Sequence, residues 1–95
     1  MPRPISYIAY VYKSASITDK LLDGRHGGIT VWEVDEAVVL TPVIDSWWDY
    51  DPDPARGWRL MVVGTTEARR RLLVVLYPVD ENDGTWSLGT AIRDD

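Results

Sequence analysis

Among the side chains that could move a proton near neutral pH, the chain has a single imidazole, His26, in the segment GRHGG. An imidazole can serve there as general acid or base. Flanked by glycines, it is also suited to a turn in which it hydrogen-bonds backbone. Arg59 and Arg71 stand at or near the starts of two strongly apolar runs. A guanidinium in such a place could grip a phosphate through paired hydrogen bonds and stabilise transition-state charge. The plainer role is strand-end charge paired with Glu33, Glu36 or the acidic loop. Asp49, Asp51 and Asp53 alternate in DYDPD, and hard cations favour such clustered carboxylates. However, Pro54 and Leu60 occupy the places where a calcium loop carries its glycine and glutamate. A solvated acidic loop is therefore expected, with no metal and no other cofactor. Trp47 and Trp48, with Tyr50 just after, could stack on nucleic-acid bases, worth about 1–3 kcal/mol per base. They could equally close the edge of a core or meet a protein partner.

Composition narrows these options. The chain has 95 residues, 45% of them hydrophobic and 26% charged, values suited to one globular domain, 1–95, with one core. There is no cysteine, which removes disulfides, thiolate nucleophiles and sulfur-rich zinc sites. No nucleophile motif, phosphate-binding glycine loop or dinucleotide fingerprint is present. The formal net charge of -5 disfavours RNA as a partner, because such binding depends on neutralising phosphates with lysine and arginine. The positive charge is still clustered, in Arg69-Arg70-Arg71 and in Arg56 with Arg59, so the local field can differ in sign from the net charge. No run of about 18 apolar residues could span a bilayer. The N-terminus lacks the long apolar region of a signal peptide, so a cytoplasmic address with no membrane partner is expected.

The elements that must position these groups follow from periodicity. Residues 5–12, ISYIAYVY, read as an N-terminal strand. Ser16 to Asp19 fit a capping box opening a short helix with Ile17, Leu21 and Leu22, stopping at Gly24. Thr30 and Glu33 form a second box, with Ile29 and Val34 as its hydrophobic staple. Val34, Ala37, Val38 and Thr41 then define one buried helix face, ended by Pro42. Residues 45–57, with two prolines and a glycine, read as an irregular connection. Residues 58–64 and 71–77 are the central strands, and 85–92 a third, after the tight-turn signal Asn82-Asp83-Gly84. The expectation is an α+β domain: a strand, two helices, then a three-stranded antiparallel meander, with the helices on one face of a four-stranded sheet.

The ordered segments KLLDGRHGGITVWEVDEAV, WRLMVVGTTEARRRLLVVLYP and WSLGTA resemble the BrnT-type toxins of bacterial toxin–antitoxin pairs over most of the chain, from Lys20 to Ala91. That resemblance implies a RelE-like fold, a metal-independent ribonuclease that arrests translation, and a cognate antitoxin as protein partner. By position it implies that His26 is the turn histidine, Glu33 and Glu36 the helix acids, and Arg59 and Arg71 the strand-entry arginines. Arg93 stands for the terminal arginine, one residue later than in the family pattern, and such a shift reverses a side chain's face in a strand. The basic C-terminal helix usual in those toxins has no counterpart before Asp95. Two readings follow: a ribonuclease with His26, Glu33, Arg59, Arg71 and Arg93 at its site, or a catalytically silent form of the fold that binds protein through its tryptophan-rich loop and exposed sheet surface.

Overall fold

The computed structural model describes residues 8–23 and 28–94. Five strands form one mixed sheet in the order β1-β5-β4-β3-β2, where β1 is Tyr10–Tyr12, β2 Asp45–Tyr50, β3 Trp58–Thr65, β4 Arg71–Asp80 and β5 Thr85–Arg93. β1 runs parallel to β5, and the other neighbours are antiparallel. The chain is thus α+β, but the expected sheet is one strand too small. The antiparallel run comprises β2 to β5 because residues 45–50 are a strand and not part of an irregular connection. Pairing with β3 creates it: Ser46 lies opposite Val62, and Trp48 opposite Leu60. Of the expected N-terminal strand, residues 5–7 fall outside the described residues, and pairing covers 10–12.

Two helices lie on one face of the sheet. Helix α1, Ala15–Leu22, is capped by Ser14, whose hydroxyl accepts from the Ile17 amide at 3.2 Å. The cap therefore sits two residues before Ser16, the residue that the sequence pattern suggests. Helix α2, Val31–Asp35, opens with the expected capping box between Thr30 and Glu33. It then widens into a π-helical segment, Glu36–Leu40, closed by the Thr41 hydroxyl donating to the Glu36 carbonyl at 2.6 Å. Val34, Ala37 and Val38 are buried as the apolar spacing predicts, joined by Ile29 just ahead of the cap.

Cross-strand parity sets the inner face. Leu60 and Val62 on β3, Leu72, Val74 and Leu76 on β4, and Trp86, Leu88 and Ala91 on β5 share one core with the helices. Gly64 belongs to this face, and its lack of a side chain lets the π-helical segment lie against β3: a β-carbon there would stand 2.0 Å from the Ala37 carbonyl oxygen. A register irregularity between Val75 and Leu76 lets β4 and β5 keep both Leu88 and Ala91 inward.

Candidate functional site

The structure separates the groups that the sequence analysis grouped. Arg59 is near the start of β3, and Arg71, at the start of β4, pairs with Thr65 at the far end of β3. Six residue steps along the strand, about 20 Å at roughly 3.3 Å per residue, separate the two positions. The clusters Arg56/Arg59 and Arg69-Arg70-Arg71 therefore occupy opposite ends of the sheet. Arg93 pairs with Leu72 and continues the face of buried Ala91, the helix-bearing side. Arg71 pairs with Thr65 on the alternate set of positions and projects from the other side. His26 lies outside the described residues.

Each candidate with a described position has structural partners. Glu33 accepts from the Thr30 amide at 3.1 Å and from Arg70 at 2.8 Å. Glu36 accepts from the Glu67 amide at 3.2 Å. Both helix acids thus fasten α2 to the β3–β4 hairpin, whose turn places Arg69 at φ 65° and is closed by Thr66 to Arg70 hydrogen bonds. Arg71 pairs with Asp94 at 3.0 Å. Replacing Glu33 by alanine removes half of the capping box and the contact to Arg70. Stability should fall by about 1–2 kcal/mol, read as an earlier urea midpoint with faster amide exchange across residues 66–70.

A well-connected polar cluster lies at the other end of the sheet. Arg59 donates to Asp49 at 2.8 Å and to Asp51 at 3.4 Å. Asp51, only 7% exposed, also accepts from the Asp53 amide at 2.7 Å and from the Tyr77 hydroxyl. Arg56 donates to that same hydroxyl at 3.3 Å while its guanidinium lies 5.4 Å from the centre of the Tyr77 ring. Two of the three alternating aspartates are thus counter-ions of Arg59, and Asp53 closes the turn by accepting from the Ala55 amide. With Asp49 and Asp51 against Arg59 and Arg56, the cluster is close to neutral. A phosphate reaching Arg59 would have to displace a carboxylate.

Tyr77, followed by the Asp53 amide and the Arg59 charge, holds the Asp51 carboxyl below its ordinary value of 3.8. A carboxylate with a depressed folded value contributes stability above its unfolded value, and loses it as pH falls through the folded one. The cluster should therefore survive mild acid. In Tyr77→Phe the largest cause is removed, so the stability that depends on the ionised Asp51, and with it the loss as pH falls below about 4, should shrink, as checked by urea midpoints between about pH 2 and pH 6.

Trp47 and Trp48 occupy opposite faces of β2. Trp48 packs toward the core with its ring 5.9 Å from that of Trp86, while Trp47 is exposed on the other side. Adjacent strand residues point in opposite directions, so the pair is no stacking platform. More fully exposed apolar side chains lie elsewhere. Trp32 on α2 is 74% exposed, Leu40 at the end of the π-helical segment 69%, and Tyr10 on β1 57%. They border one groove of about 230 Å³ with Val11, Val39 and Asp35, its lining mostly apolar. Lys13 holds Asp35 at 2.7 Å on this side. No family model, curated protein or solved structure matches the chain.

Proposed function

We propose that the chain is a protein-docking module, a catalytically silent domain of the BrnT pattern whose α2–β1 face receives a protein partner, with a cognate antitoxin as the partner class suggested by the resemblance. The observation that carries this reading is the group of Trp32, Leu40 and Tyr10 around one apolar groove. Single exposed apolar residues are ordinary, but large ones gathered at a groove mark contact surfaces. Tryptophan and tyrosine are also the side chains whose burial contributes most at protein interfaces. Contacts therefore shift from the tryptophan-rich segment toward the helix side.

The arginine arrangement supports the same reading. Phosphoryl chemistry needs donors converging on one reacting group, whereas Arg59 and Arg71 are at opposite ends of β3 and each holds a carboxylate. The net charge of -5 adds repulsion toward RNA. Incubating purified protein with total bacterial RNA, beside its Arg59→Ala and Arg71→Ala variants, tests this directly. Intact RNA in all samples is expected. Cleavage by the parent chain that either variant abolishes would establish the ribonuclease instead.

A further inference from the structure

A second groove, of about 470 Å³, opens beside β5 where α1 begins and is lined in part by Ser14, Ser16, Ser87, Arg56 and Tyr77. This volume is in the usual range of small-molecule sites, roughly 300–1,000 Å³. Its polar groups form a consistent set. Arg56 is carried by a turn that is fixed internally, its amide donating to the Asp53 carbonyl at 3.0 Å and the Ala55 amide to the Asp53 carboxylate at 3.0 Å. Unlike Arg59, Arg70 and Arg71, Arg56 makes no salt bridge among the described residues, and Asp51 and Asp53 offset its charge only at longer range. Its Nη1 is given to Tyr77, which leaves the rest of the guanidinium fork for an oxyanion.

The hydroxyls add donors that can also accept. Ser14 and Ser16 lie 3.3 Å apart, and the Ser87 hydroxyl has no hydrogen-bond partner among the described residues. The first turn of α1 carries no acid that would repel an anion. Gly89 keeps the groove open in another way: a β-carbon there would stand 2.5 Å from the Tyr77 ring, so any side chain would push Tyr77 off the Asp51–Arg56 clamp. A fixed guanidinium beside several hydroxyls suits a phosphate attached to a hydroxylated body better than a bare anion or an apolar molecule.

We propose that this groove binds a small sugar phosphate, the phosphate on Arg56 and the hydroxyls of the sugar on Ser14, Ser16 and Ser87. A free pentose phosphate and the same group within a mononucleotide share this chemistry. Calorimetric titration of the full chain with ribose 5-phosphate, AMP, ribose and inorganic phosphate tests it, with amide shifts followed by NMR. Ribose 5-phosphate should bind roughly tenfold more tightly than inorganic phosphate or ribose, shift the amides of Ser16, Ser87 and Gly89, and weaken at least tenfold in Arg56→Gln. Equal affinity for AMP would assign the sugar phosphate as the recognised unit, and binding of AMP alone with the same Arg56 dependence would assign the nucleotide. Binding no tighter than inorganic phosphate, unaffected by Arg56→Gln, or shifting amides away from this groove would overturn the proposal. The NMR map on the parent chain decides the matter even if Arg56→Gln fails to fold.

Discussion

Substituting Gly64 by alanine should destabilise this protein by about 3 kcal/mol. The new β-carbon would stand 2.0 Å from the Ala37 carbonyl oxygen and 2.7 Å from its carbon. Both atoms are backbone, so no side-chain rotation can relieve the overlap. Either β3 bends away from Leu72 opposite it, or the π-helical segment lifts from the sheet and exposes Ala37 and Val38. A loss of that size is a large part of the roughly 5–15 kcal/mol that holds a typical domain together. Urea denaturation followed by circular dichroism measures it, and an unchanged midpoint would mean that the helix layer does not rest on Gly64.

The second large effect concerns binding and should leave folding nearly untouched. Trp32→Ala removes a side chain that is 74% exposed, so stability should change by no more than about 0.5 kcal/mol. Partner affinity should fall about 30-fold or more, as expected for an aromatic anchor at the centre of an interface. Leu40→Ala should weaken the same partner by a smaller factor, because it borders the same groove with less surface. Surface plasmon resonance with the captured partner reads both variants. Equal affinity for the parent and Trp32→Ala would place the contact elsewhere on the molecule.

The parts of this molecule that local chemistry specifies are legible in its sequence. Thr30 and Glu33 announce α2 through a reciprocal cap that needs only four residues, and the apolar runs of β3 and β4 need a sheet interior to bury them. β2 is different. Its residues alternate between exposed and partly buried, two aspartates lie among them, and prolines follow at 52 and 54. Only pairing with β3, including the Arg59 that Asp49 neutralises, makes it a strand. The close packing of residues 36–40 on β3 likewise depends on Gly64, which lies far along the chain.

The site was less accessible for a related reason. Arg59 and Arg71 each occupy a strand start, as the sequence suggests, but the starts of consecutive antiparallel strands lie at opposite ends of a sheet. That rule could have separated them in advance. Trp32 also left a signal, as a large apolar residue off the stripe of Val34, Ala37 and Val38. By contrast, the clamp of Tyr77 between Asp51 and Arg56 joins residues more than twenty positions apart, and no spacing in the sequence foretells it.

The docking reading is tested most directly by presenting the parent chain, Trp32→Ala and Arg59→Ala as equally folded baits to an extract of the native host, and comparing the bound proteins quantitatively. The account predicts a protein retained by the parent and by Arg59→Ala and lost from Trp32→Ala. A specific partner held equally by Trp32→Ala, or lost only from Arg59→Ala, would contradict it and move the functional surface to the arginine end of the sheet.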